Sequence, residues 1–221
     1  MRKNILCKTG EIYHIYNRGT DKRIIFEDRG DYLRFLDGLK YFNSVKNIQS
    51  LYAISFANKI NQISDPVVDI LAYNLLPNHF HLVVRQRVDD GISKFMKAVG
   101  GGYSAYFNAK YDRSGSLFQG RFKRKHIDNE NYLTSILAYV HQNHLVHQLR
   151  DPVPKSSIQE LKNGQAMNGL NILHAEALSF IGGSCKQYDT YSQDILGETI
   201  EARNRERNNR QKSELVDILI E

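Results

Sequence analysis

Cysteine is almost absent from this chain. Its 221 residues include two, Cys7 and Cys185, far apart and in no cluster. That argues against a disulfide framework or a cysteine metal site and fits two reduced thiols in a cytosolic protein. Long apolar runs are also missing. No stretch approaches the ~20 residues of a membrane-spanning helix, and Met1-Arg2-Lys3-Asn4-Ile5-Leu6-Cys7-Lys8 has no apolar signal core. The expectation is a cytoplasmic protein with no membrane partner. No internal repeat is evident. With 41% hydrophobic and 24% charged residues the composition is globular, and the length suits one domain with an addition.

Acidic charge is scarce in one place. Residues 85–125 hold three acidic side chains against ten basic ones. Residues 1–150 carry 22 Lys and Arg against 13 Asp and Glu, a net of +9, whereas residues 151–221 carry 8 against 11, a net of −3. A basic field confined to one part of the chain points to a polyanionic partner, a solvated basic surface being the plainer alternative.

Within that basic part lies Leu75-Leu76-Pro77-Asn78-His79-Phe80-His81-Leu82-Val83-Val84. The β-rich residues after the histidines predict a strand, on which His79 and His81 share one face and Phe80 takes the other. Their Cα atoms would lie about 6.6–6.8 Å apart, close enough for two imidazoles to converge on one ion. Two half-buried structural histidines are the simpler reading of that pair alone.

Some sixty residues later, apolar residues at 133, 136, 137 and 140 recur at helical spacing. Asp128 or Asn129 can cap this helix. Tyr139 and Asn143, four residues apart, project from one of its faces.

The other periodic segments are strands at Glu11–Arg18, Ile48–Phe56, Val67–Leu75, Phe80–Arg87 and Leu117–His126. Helices are expected at Asp31–Asn43 and Ile92–Ala109, the latter with a weak point or kink at Gly100-Gly101-Gly102. On the Leu117–His126 strand, Arg121, Lys123 and Lys125 would share a face. The order predicts an α+β, ferredoxin-like sandwich with an antiparallel sheet. Asp151-Pro152-Val153-Pro154-Lys155-Ser156-Ser157 reads as a linker, dividing a domain at 1–150 from a helical C-terminal extension at 151–221. In that extension Ser157–Leu161, His174–Ile181 and Gln193–Glu221 have helical character, and Arg203–Lys212 reads as a solvated helix face.

Taken together, the chain resembles the HUH single-tyrosine transposases, especially the REP-associated branch. The matching pieces run in order from residue 11 to about 150. They are Tyr13-His14-Ile15-Tyr16-Asn17-Arg18-Gly19, Ile25-Phe26, Phe35-Leu36, Leu76–Val84 and Tyr106-Phe107-Asn108, then Gly115-Ser116-Leu117-Phe118-Gln119-Gly120-Arg121-Phe122-Lys123 and Tyr139-Val140-His141-Gln142-Asn143. Each piece is weak alone; their joint order is specific. The resemblance implies the same fold, His79 and His81 as the metal-binding pair, Tyr139 as nucleophile and Asn143 as third ligand. It assigns Arg18, Arg85, Arg121, Lys123, Arg124 and Lys125 to DNA. One departure is His144, where the family usually has Pro, so the helix is expected to run further here.

The implied activity is metal-dependent cleavage and rejoining of single-stranded, hairpin-bearing DNA through a 5′-phosphotyrosine, by a monomer or homodimer near the nucleoid. Two imidazoles and an amide oxygen suit Mg²⁺ or Mn²⁺, with Zn²⁺ the main alternative. An unperturbed tyrosine, of pKa about 10, is about one part in a thousand phenolate at pH 7, so the site must assist its deprotonation. Two other readings compete: an inactive or domesticated DNA-binding regulator of the same fold, and a ferredoxin-like RNA-binding module. Tyr132 is expected to pack rather than react. Tyr103, Tyr106 and Tyr111 are core or base-stacking candidates.

Overall fold

The computed structural model describes residues 7–45, 65–146, 156–158, 161 and 185–219. Strand β1 (Ile12–Arg18) leads through a short 3-10 turn to helix α1 (Arg29–Tyr41). Strands β2 (Val68–Leu76) and β3 (His79–Gln86) follow, then α2 (Gly91–Lys110), β4 (Lys123–Ile127), α3 (Glu130–Val146) and α4 (Cys185–Leu219). The four strands form one antiparallel sheet in the order β2-β3-β1-β4. With α1 and α2 on one face, this is the ferredoxin-like arrangement, extended by α3 and α4. The expected strand at Ile48–Phe56 and helix at His174–Ile181 lie outside the described residues.

Period-two patterning separates two cores. On one side Tyr13 and Ile15 of β1 and Phe80, Leu82 and Val84 of β3 pack beneath α1 and α2. On the other, Val83 of β3 packs with Leu133, Leu137 and Val140 of α3 and Tyr188 of α4. A register shift between Ile70 and Ala72 lets β2 serve both: Ile70 and Tyr73 face the first core, Leu71 and Ala72 the second. A bulge of this kind moves later side chains to the opposite face.

The turn joining β2 to β3 consists of Pro77 and Asn78. Pro77 has no N–H to leave unpaired, and its carbonyl accepts from Ile25 and Phe26 N–H groups. Helix α1 begins with a reciprocal capping box between Asp28 and Asp31. Asp31 is fully buried and also receives Lys110, Tyr106 and Tyr111, tying the start of α1 to the end of α2. Tyr103 is buried and donates to the carbonyl of Ile25. These three tyrosines therefore serve the core.

Two local expectations need correction. The strand expected at Leu117–His126 forms only over Lys123–Ile127. Residues 117–122 make a loop pinned to β1, with Gln119 N–H donating to Arg18 and Thr20 N–H to Leu117. Gly120, at φ +120°, takes the chain out of extended geometry just before β4, so Arg121 is not on the strand. The triple glycine does not end α2, which spans Gly91–Lys110. Gly102 leaves room for Phe42, whose ring would lie 3.0 Å from a Cβ there, while Gly100 and Gly101 face open space.

Candidate active site

The sheet's β1–β3 register places Tyr16 opposite His81 and Arg18 opposite His79. His79 and His81 share the face toward α3, as period-two alternation requires. Their rings meet edge to face with centroids 5.1 Å apart. The α3 helix, started by Asn129, whose side chain accepts from Tyr132 N–H, runs over this face. It brings the Tyr139 ring edge-on to His81 at 5.6 Å.

His79, His81 and Tyr139 thus line one open cavity of about 290 Å³. Cations border it: Arg18 from β1, Lys123 from β4 and Arg203 from α4. Arg18 Nε is buried there with no hydrogen-bond partner among the described residues, a donor suited to an anion.

Asn143 lies one turn beyond Tyr139 and is fully buried. Neither its amide oxygen nor its nitrogen has a hydrogen-bond partner among the described residues. Such a group costs about 1–3 kcal/mol when it stays unpaired. The neighbouring geometry holds this turn against the histidines. Asn74, paired with His81 across β2 and β3, donates to the Val140 carbonyl at 2.7 Å and lies 3.4 Å from His144 Nδ1.

Both histidines are held at Nδ1. His79 Nδ1 lies 2.7 Å from Asn78 Oδ1, and Asn78 Nδ2 donates in turn to the Lys22 carbonyl. His81 Nδ1 lies 2.8 Å from His14 Nε2, both residues being buried. Burial, helped by the charge of Lys125, lowers the His14 pKa to about 4, so it is neutral at pH 7. His14, Tyr16 and His81 stack, with centroids 5.0–5.9 Å apart.

Among the described residues no three His, Cys, Asp or Glu side chains gather around a common point. A third protein donor to a metal at His79 and His81 would have to be of another kind; Asn143 does not line the cavity itself, and its buried amide lies one helical turn beyond Tyr139, which does.

The remaining DNA candidates divide. Arg121, Lys123 and Arg124 border a second, larger groove of about 1070 Å³, which shares Tyr16, Asn17 and Lys123 with the first cavity. Gly100 and Gly101 form part of its α2 wall, which explains glycine at positions where a Cβ would meet nothing. Lys125 is exposed on the α3 side, its ammonium 4.4 Å from the Tyr132 ring centroid. Arg85 lies at the far end of β3 and pairs with buried Asp69 at 2.6 Å, beside Arg87. His141 faces away from the cavity: it is buried between Tyr188 and Ser157.

Three residues at the site were not singled out from the sequence for these roles. His14 and Asn78 belonged to matching motifs, but their contacts with His81 and His79 depend on strand register and turn geometry. Arg203 stands in a charge run that suggests a solvated helix face; it reaches the cavity because α4 packs on α3 through buried Tyr188 and Ser192.

Comparisons with known proteins bear on the fold and the family. The family described as transposase IS200-like matches residues 42–143, a span that includes His79, His81, Tyr139 and Asn143. No curated protein matches the chain. A solved structure of a REP-associated tyrosine transposase bound to a REP hairpin is similar in fold, with 15% identity, a TM-score of 0.50, and coverage of 77% of this chain and 90% of that one. Residues 42–143, a little under half of the chain, are thus similar to the IS200-like transposases.

Proposed function

We propose that this protein is a transposase that cleaves and rejoins single-stranded DNA through a covalent bond between Tyr139 and a 5′-phosphate. The observation that carries the reading is the phenol of Tyr139 set against His81, in a cation-bordered cavity shared with His79. The Tyr139 oxygen attacks phosphorus in line. The bond from phosphorus to the departing 3′-oxygen breaks, leaving a 5′-phosphotyrosine and a free 3′-OH. The phosphodiester energy stays in the new ester, so a 3′-OH can reverse the step without ATP.

His79, His81 and Asn143 would hold Mg²⁺ or Mn²⁺, the latter favoured by imidazole ligation. When bound, the ion supplies charge stabilisation to the scissile phosphate and assists loss of the phenol proton. Arg18, Lys123 and Arg203 neutralise the flanking phosphates and align them for in-line attack. Arg121, Arg124 and Lys125 extend that basic surface, while Arg85 is engaged with Asp69. A hairpin-bearing strand is the proposed partner, by analogy with the hairpin in the similar structure.

The test uses a fluorescent single strand carrying a hairpin from beside the protein's own gene, incubated with Mn²⁺. A labelled band at protein plus DNA mass in denaturing gels, abolished by EDTA, is expected. Specific binding with no adduct under any divalent metal would instead establish a non-cutting DNA-binding protein.

A further inference from the structure

The assignment of His79 and His81 as metal ligands underlies one further inference, about what sets their proton positions. A ring nitrogen ligates a metal through its lone pair, so its hydrogen must sit on the other nitrogen. For His79 the arrangement is decided by its neighbour. Asn78 uses Nδ2 to donate to the Lys22 carbonyl at 3.1 Å, so its Oδ1 is the atom facing His79. An amide oxygen only accepts, and His79 must therefore carry hydrogen on Nδ1, with its lone pair on Nε2.

His81 is held at the same nitrogen, but by an imidazole. One proton serves the 2.8 Å contact between His81 Nδ1 and His14 Nε2. If His14 donates it, a neutral His81 must carry its hydrogen on Nε2 and is lost as an Nε2 ligand. If His14 accepts, His81 presents the same nitrogen as His79. We infer that His14 is the acceptor, a positioning residue that fixes His81 as the Nδ1–H tautomer so that both histidines offer Nε2 to one ion.

Geometry favours this role. The two rings are nearly parallel, at 18°, and both residues are 7% exposed, so water does not readily replace either partner. The strand register reinforces the contact: β1 and β3 pair continuously from Ile12 opposite Arg85 to Arg18 opposite His79, which brackets His14 and His81.

The test begins on the unaltered full chain without metal. Nitrogen-15 NMR of labelled histidine, with His81 assigned by loss of its signals in His81→Gln, should show hydrogen on Nδ1 and a pyridine-type Nε2. Mn²⁺ binding is then followed by electron paramagnetic resonance. His14→Phe keeps a ring but no acceptor. It should shift His81 toward the Nε2–H tautomer and weaken Mn²⁺ binding by about 10–100-fold, the usual effect of losing an outer partner of a metal ligand. His14→Gln supplies an acceptor oxygen and should stay within a few-fold of the unaltered protein. Hydrogen on Nε2 of His81 in the unaltered chain would overturn the inference, even if His14→Phe failed to fold. So would an unchanged tautomer and affinity in a folded His14→Phe. The expected tautomer without any Mn²⁺ binding would support the His14 contact and reject the metal reading on which its purpose rests.

Discussion

Asn143 is the residue where stability and the proposed function pull apart most clearly. A fully buried amide with no hydrogen-bond partner among the described residues destabilises the fold. Asn143→Leu keeps a similar volume and removes that cost. It should raise unfolding free energy by about 1–3 kcal/mol while abolishing Mn²⁺ binding and adduct formation. Denaturant unfolding and metal titration on the same preparation check both halves; a destabilised variant that still binds metal would show that the amide is structural. Which candidate residues lie near one another is legible in the sequence because their spacings are local. Two residues along a strand put His79 beside His81, and four along a helix put Tyr139 beside Asn143. The contact of His14 with His81 is not legible there, because it crosses a strand pair between residues 67 positions apart.

Among the elements, α2 and β4 show how local sequence misleads. Three consecutive glycines suggest a broken helix, since each lacks the side chain that favours helical backbone. The helix persists because its other face is buried through Phe95, Val99 and Tyr103, and Gly102 admits Phe42. Gly101→Ala should therefore stabilise the protein by about 0.5–1 kcal/mol with little effect on DNA binding. Gly101→Leu would project into the groove and should weaken single-strand binding several-fold at unchanged or higher Tm. Equal affinity for both variants would place the strand elsewhere. Around β4, the alternation runs on through a loop, because nothing in composition marks that Gly120 takes a positive φ. Lys123 keeps its assigned face; Lys123→Ala should lower the salt slope of single-strand binding by about 0.7 if it meets one phosphate, as fluorescence anisotropy at several salt concentrations will show.

The chain as an assembled object is more integrated than a core with a trailing extension. The order of strands and helices was readable because period-two and helical patterns alternate cleanly. The packing of α4 on α3 was not, since its first turns carry polar contacts, Tyr188 to His141 and Ser192 to Gln142, rather than a broad apolar stripe. Ser157 adds to this clamp by bonding His141 and the Tyr73 backbone. Tyr188→Ala should cost about 3–5 kcal/mol, the usual range for losing a large buried ring, and should slow cleavage by loosening α4 and Arg203 at the cavity. Calorimetry and adduct yield would check this, and a loss below 1 kcal/mol would mean that α4 contributes little to the fold. The central claim is narrower: Tyr139 is the atom donor to phosphorus. Protease digestion of the protein–DNA adduct followed by mass spectrometry tests it most directly, with Tyr139→Phe run beside the unaltered chain. The account predicts a nucleotide on the peptide carrying Tyr139, and DNA binding without any adduct in Tyr139→Phe. A nucleotide on Tyr132 or another residue, or full adduct yield in Tyr139→Phe, would contradict it.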